Sequence, residues 1–246
     1  MSARARLVRT AVAIVGLLAL AVACSFLSLW QYRRAAESRA VTARFAAAAA
    51  APALDAAPKE LTDDLRFRRL AAVGRYVPEP QFLLDNRVHD GVAGYDALTA
   101  FELADGRLLL VNRGWVEASP NRSVLPGVQI DAGERTVLGQ LDRLPRAGLR
   151  LGASLPAAAA REPVIVVVYP TAEELGFVLH ARPLDYALSL DSGEPDSFVR
   201  DSGPAVVSPE RHLAYAGQWL LFGIGALGAA VAVARGARAS RTPSPS

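Results

Sequence analysis

The chain has 246 residues, of which 52% are hydrophobic, a share that is high for a soluble protein. Its only cysteine is Cys24, so an intramolecular disulfide is excluded. The formal net charge is +3, but three arginines at each end of the chain stand without any acid, and the residues between them carry a net charge of −3. The basic character therefore belongs to the two ends, and we do not infer nucleic-acid binding from it.

Two uncharged apolar stretches predict transmembrane helices. Residues 10–32 and 213–234 contain no charged side chain, and about 20 apolar residues in a helix cross the bilayer core. Pro209 and Glu210 suit the first turn of the second helix. The predicted segments are a basic tail (1–9), a first transmembrane helix (10–32), a helical stalk and linker (33–64), a β-rich domain (65–208), a second transmembrane helix (209–234) and a basic, disordered tail (235–246).

The arginines of the tails predict the orientation in the membrane. Positive charge stays on the cytoplasmic side, so we expect both termini inside and the domain outside a bacterial plasma membrane. Residues 21–24 resemble a weak lipoprotein cleavage site, but the apolar run continues to Trp30. We therefore expect the first span to be retained.

Short β-prone runs fill the region between the spans. The predicted strands are 66–76, 81–88, 95–103, 107–116, 135–144 and 164–169, with edge strands at 177–179 and 184–190 and a capped helical turn at 171–175. Asp105-Gly106 predicts a tight hairpin, and residues 145–160 are expected to be irregular. Because strands do not alternate with helices, we predict an α+β membrane protein with a mostly antiparallel sheet, partly closed as a barrel.

The sequence lacks the usual constellations of an enzyme. It has no glycine-rich phosphate loop and no cluster of His and Cys at metal-ligand spacing. His89, His180 and His212 are far apart, and Cys24 lies inside a predicted span. We therefore predict that the protein is not an enzyme.

A stripe of polar and aromatic residues lies near the start of the second predicted span. His212, Tyr215 and Trp219 share a helix face, with Gln218 beside it. Neutral imidazole is a suitable axial ligand for haem iron, whereas His, Tyr and Trp are also ordinary anchors at the membrane interface. The residues alone favour the anchor and leave the ligand open.

An Asn-Arg pair occurs twice in the predicted domain. Asn86-Arg87 and Asn112-Arg113 each follow an apolar run. Arginine binds carboxylates in bidentate fashion, such as haem propionates or an acidic partner. Alternatively, Asn closes a turn and Arg pairs with an acid of the domain such as Asp85 or Asp90.

In four segments the chain resembles the Surfeit locus protein 1 family of cytochrome oxidase assembly factors. They are Leu29-Trp30-Gln31-Tyr32-Arg33-Arg34; Phe67-Arg68-Arg69 with Gly74-Arg75-Tyr76; Asn86-Arg87 to Gly94-Tyr95 with Leu109–Val116; and His212–Trp219. The chain departs from the family pattern in two places. Glu37 stands where a basic residue is frequent, and the segment 149–160 matches no family signature.

The resemblance implies a membrane assembly factor for haem–copper cytochrome c oxidase, acting where haem a enters the catalytic subunit. It implies that His212 is a haem a ligand, with Tyr215, Gln218 and Trp219 shaping the pocket and Trp30 and Gln31 completing it. Arg87 or Arg113 would neutralise propionates. The expected partners are oxidase subunit I, haem a synthase and the lipid bilayer. The alternative is a structural scaffold for oxidase subunits that does not bind haem.

Overall fold

The computed structural model describes residues 3–145, 155, 162–200, 203–204 and 206–239. In chain order the elements are α1 (Ala3–Ala50), β1 (Arg69–Tyr76), β2 (Gln81–His89), β3 (Val92–Leu103), β4 (Leu108–Glu117), β5 (Glu134–Arg143), β6 (Val164–Val167), α2 (Ala172–Leu179), β7 (Tyr186–Leu190) and α3 (Pro209–Ala239). They form two compact units. Residues up to Ala43 and from Pro204 belong to a helix-pair unit, and Arg44–Gly203 belong to a β domain.

The helix-pair unit contains the two helices that are long and apolar enough to cross a membrane. Along both helices, buried and half-buried residues together recur mostly at intervals of three or four, which gives each helix one packed stripe. The most buried are Ala21, Cys24, Ala35 and Ser38 on α1, and Ala216, Gly223, Ala226 and Ala230 on α3. Small side chains at such a seam let two backbones approach closely, as is typical of helices that pair within lipid.

The helices of this unit run antiparallel. Ser28 of α1 donates to the carbonyl oxygen of Ala216, whereas Ser38, farther along α1, donates to that of Val207, which precedes α3. Residue numbers therefore increase along α1 in the direction in which they decrease towards the start of α3. As predicted, α1 continues beyond the apolar stretch, and it ends at Ala50, two residues before Pro52.

The β domain is built around a closed five-stranded barrel. The strand order β1-β5-β7-β4-β3 returns to β1 through a short antiparallel pairing of Gly74 with Leu103. A side chain at Gly74 would overlap the carbonyl oxygen of Glu102 and a ring atom of Phe101, so only glycine lets the barrel close there. The prediction of a mostly antiparallel sheet is confirmed, although β4–β7 and β2–β6 are parallel.

Two hydrophobic clusters organise this domain. The barrel interior holds large side chains from its strands, including Tyr76, Phe101, Leu109, Leu141 and Leu188. Outside the ring, β2 and β6 extend the sheet from β3, and α2 covers this extension with Leu175 and Val178. The domain is therefore a small barrel with a helix-covered flap of sheet.

Two sequence predictions in this region are wrong. Residues 177–179 belong to α2, because the capping box between Thr171 and Glu174 starts a helix that continues to Leu179. Phe177 has a high β propensity, but that propensity reflects packing on a half-buried sheet, and the residue is 74% exposed. The predicted edge strand 184–190 is β7, which lies between β4 and β5 inside the ring. Of the predicted irregular segment 145–160, only 145 and 155 belong to the described residues.

Candidate functional site

The helix-pair unit joins two of the predicted site residues by a hydrogen bond. His212 Nδ1 lies 2.8 Å from Gln31 Oε1, across the seam between α3 and α1 and 181 residues apart in the chain. Both side chains are half-buried. The other ring nitrogen, Nε2, has no hydrogen-bond partner among the residues that the structure describes. The hydrogen bond therefore fixes the Nδ1 edge of the imidazole, and Nε2 is left for another ligand.

Two further hydrogen bonds made by α1 lie on either side of this contact. The Ser28–Ala216 bond, 2.9 Å long, lies one helical turn away in one direction, and the 2.6 Å Ser38–Val207 bond lies about two turns away in the other. Ala35, between them, is fully buried. The helices therefore cannot slide past each other without breaking several contacts at once. The sequence interpretation missed both serines, although their spacing of three and seven residues from Gln31 is a visible signal.

The remaining predicted pocket residues lie along the same two helices. Trp30 and Tyr215 are about half exposed, at 51% and 47%. The Arg34 guanidinium lies 5.8 Å from the Trp30 ring centre, and Trp219 packs edge-on against Phe222 at 5.9 Å. Within the described part of the chain, none of Trp30, Tyr215, Gln218 and Trp219 forms a hydrogen bond with His212. Tyr215, Gln218 and Trp219 follow His212 on α3, and Trp30 precedes Gln31 on α1.

Arg113, proposed to contact propionates, is a structural group of the β domain. Only 4% of the residue is exposed, and it donates to the carbonyl oxygens of Asp196 (3.0 Å) and Val128 (2.7 Å). Its guanidinium also lies 4.7 Å from the ring centre of Phe198. Burial lowers the pKa of Arg113 from its ordinary value. These contacts use the side chain to join β4 to two loops.

Arg87 pairs with an acid, as the alternative interpretation predicted, but the acid is Asp96. The distance from Arg87 Nε to Asp96 Oδ2 is 3.1 Å, and both side chains keep part of their surface exposed. Of the two acids that we expected, Asp85 pairs with Arg122 instead, and Asp90 Oδ2 lies 3.6 Å from His89 Nε2. Asn86 takes a left-handed backbone conformation where β2 shifts register against β3. It therefore marks an irregularity in a strand rather than a turn.

The described residues contain no group of three or more His, Cys, Asp and Glu side chains that could hold a metal ion. A metal bound at His212 would have that imidazole as its protein ligand within the described chain. Such an arrangement suits an iron whose other ligands are supplied by a porphyrin.

Two membrane helices joined through a polar contact, with a small barrel between them in the chain, define a membrane-anchored β-barrel protein. The SURF1 family, whose profile matches residues 18–224, is the family to which this chain belongs. The match begins inside α1, includes the whole β domain and extends well into α3.

Individual relatives agree with this assignment. An uncharacterized SURF1-like protein of Mycobacterium tuberculosis is 26% identical over 166 residues, which are 65% of this chain and 57% of that protein. A SURF1-like protein of Rickettsia felis is 30% identical over 91 residues, 36% of this chain and 39% of its own. One of Dictyostelium discoideum is 37% identical over 54 residues, 22% and 20% of the two chains. The chain thus spans little more than half the length of the mycobacterial relative that it matches.

Proposed function

We propose that this protein is a membrane-bound assembly factor for haem–copper cytochrome c oxidase and that it carries haem a, as cargo, to the catalytic subunit. His212 is the iron ligand in this proposal, and the carrier is not an enzyme. Family membership supports the oxidase context. The observation that carries the haem proposal is the His212 imidazole, held through Nδ1 by Gln31 while Nε2 has no partner in the described chain.

The chemistry of the residues around His212 suits a haem. Neutral imidazole binds haem iron through one nitrogen. Trp30, Tyr215 and Trp219 offer aromatic surface to a porphyrin, and Gln218 is exposed beside them. A single protein ligand also suits a carrier, because cargo held by few bonds can be passed on.

The proposed orientation places both termini in the cytoplasm of a bacterium and the β domain outside its plasma membrane. Antiparallel packing of α1 and α3 supports ends on one side, and the arginines of both tails support the cytoplasmic side. We expect a green fluorescent protein at the C-terminus to be fluorescent and alkaline phosphatase there to be inactive. The reverse pattern would contradict the orientation.

The partners in this proposal are oxidase subunit I and haem a synthase. Copurification with tagged subunit I, and separately with tagged synthase, tests each of them. The contribution of Arg87 and Arg113 to binding haem propionates stays a prediction. Of the two, Arg87 is the more exposed.

The haem proposal is tested with the full-length protein purified from cells that make haem a. We expect the wild-type protein to carry haem and the His212→Ala variant to lose most of it. His180→Asn is the matched control, because His180 is exposed, lies in the β domain and has a left-handed backbone that Asn tolerates. If His212→Ala carries as much haem a as wild type, the ligand role is wrong.

The same variants separate the haem carrier from the scaffold that the sequence left open. In cells lacking the native gene, we expect His212→Ala to leave the oxidase deficient in haem a. If His212→Ala restores oxidase with its full haem a content, the scaffold function is correct.

A further inference from the structure

The hydrogen bond between Gln31 and His212 has a direction. Gln31 presents its carbonyl oxygen, Oε1, to His212 Nδ1 at 2.8 Å. An amide oxygen only accepts hydrogen bonds, so the proton of this bond belongs to Nδ1. In a neutral imidazole with its proton on Nδ1, Nε2 carries the free lone pair.

We propose that Gln31 is a positioning residue that fixes the Nδ1–H tautomer of His212 and so presents the Nε2 lone pair to a metal. This inference deepens the haem-carrier proposal and rests on it for the identity of the metal. Metal-binding histidines generally donate their second N–H to a neighbouring acceptor, which fixes the tautomer and orients the ring. Here the acceptor comes from the other transmembrane helix.

The seam between the helices makes Gln31 an effective acceptor. Packing of the small residues along the seam holds α1 and α3 in one register, and the bonds from Ser28 to Ala216 and from Ser38 to Val207, just before α3, lie on both sides of the pair. Because helix packing already places Gln31 beside His212, little further conformational entropy is lost when the hydrogen bond forms. The glutamine also lies at the C-terminal end of the uncharged stretch 10–32, where an amide satisfies an imidazole without adding a charge to the membrane.

The first test uses the protein without haem. In the full-length protein labelled with ¹⁵N in its histidine rings, nuclear magnetic resonance at mildly alkaline pH reports which nitrogen carries the proton. We expect a protonated Nδ1 and an unprotonated Nε2 for the resonance that disappears in His212→Ala. A proton on Nε2 in the wild-type protein would overturn the inference, because the amide would then donate to Nδ1.

Variants of Gln31 separate positioning from simple helix packing. Gln31→Leu removes the acceptor, so we expect a mixture of tautomers and a haem affinity lower by about 10- to 100-fold. Gln31→Glu keeps an acceptor and should retain the Nδ1–H tautomer, with a lower reduction potential of the bound haem. Ser28→Ala is the control, because it removes an interhelical bond from the same seam. It should leave the tautomer unchanged.

The outcomes distinguish this inference from the function on which it rests. If His212→Ala keeps its haem, the haem-carrier proposal fails, whatever the tautomer. If His212→Ala loses haem but Gln31→Leu keeps both the wild-type tautomer and the wild-type affinity, only the positioning role fails. If Ser28→Ala changes the tautomer as much as Gln31→Leu does, Gln31 acts through helix packing, and the positioning role is again wrong.

Discussion

Gly223 lies directly opposite Cys24 where α3 packs on α1. A Cβ atom at Gly223 would be 3.4 Å from the Cys24 Cβ and 3.5 Å from the Ala21 carbonyl oxygen. A Cβ atom at Gly223 would thus be in van der Waals contact with α1, one helical turn beyond Trp219. This contact offers a direct way to test whether the helices pair in the membrane as described.

The Gly223→Cys variant should form a disulfide with Cys24. Disulfides need Cβ atoms about 3.5–4.5 Å apart, so a movement of a few tenths of an ångström is sufficient. Cys24 is the only native cysteine, so the product is unambiguous. After mild oxidation and cleavage in the β domain, the two membrane helices should migrate as one band without reductant. Gly225→Cys, which has open space around it, should give no such band, and an equal yield from both variants would contradict the helix pairing.

The Gly223→Leu variant should weaken the helix pair. Overpacking a close contact costs about 1–3 kcal/mol, and the Cys24 and Ala21 side of the seam offers no space for a leucine. We expect a lower midpoint of unfolding by denaturing detergent for the full-length protein. Gly225→Leu has the same gain in helix propensity without the contact, so its midpoint should equal or exceed that of wild type. Equal midpoints for both variants would show that the seam is loose.

Two buried tyrosines should respond in opposite directions to removal of the hydroxyl. The Tyr76 hydroxyl has no hydrogen-bond partner among the described residues, whereas the Tyr186 hydroxyl donates to the carbonyl oxygen of Pro58. A buried polar group without a partner is unfavourable, and a satisfied one contributes about 0.5–1.5 kcal/mol. We expect Tyr76→Phe to keep or raise the free energy of unfolding and Tyr186→Phe to lower it. The same sign for both would refute this account.

The same tyrosines predict a loss of stability at high pH. Burial raises the pKa of Tyr76 and that of Tyr186 from 10.0 to about 12. In the unfolded chain both phenols ionise near pH 10, so their contribution is fully present below that pH and is lost as the pH rises to about 12. Denaturant unfolding at a series of alkaline pH values should show this decrease, with a smaller slope for Tyr76→Phe. A slope unchanged by that substitution would mean that Tyr76 is not protected in the folded state.

Arg113 should contribute far more to the stability of the β domain than an exposed arginine. Truncating it to Ala leaves the carbonyl oxygens of Asp196 and Val128 without this donor and opens a void beside Phe198, which together should cost several kcal/mol. Arg75→Ala is the comparison, because its ion pair with Glu102 is exposed and solvent-exposed pairs contribute little to stability. Thermal unfolding of the full-length protein measures both. A loss from Arg113→Ala no larger than that from Arg75→Ala would contradict the structural role.

Much of the candidate site could be predicted, but its geometry could not. The motifs around Gln31 and His212 indicated both residues, and the apolar stretches indicated both helices. Neither motif carries the register of one helix against the other, which depends on small residues such as Ser28 and Gly223 along a shared seam. The bond between the amide and the imidazole is a property of that register.

Barrel closure likewise depends on contacts that no local pattern contains. The hairpin at Asp105-Gly106 was predictable, because local turn chemistry determines it. The pairing of β1 with β3 involves only three residue pairs and depends on the absence of a side chain at Gly74. The parallel pairing of β7 with β4 joins strands distant in sequence, so β7 resembled an edge strand when considered alone.

The separation of 181 residues between Gln31 and His212 also has a consequence in time. A ribosome adding about 5–20 residues per second releases His212 roughly 10 to 40 s after Gln31, and the whole β domain is synthesised in the interval. A nascent or truncated chain that stops before α3 contains Gln31 but lacks the imidazole of His212 to which Gln31 bonds. The contact between the two helices therefore forms only after the last helix has been synthesised, and unfinished copies lack it.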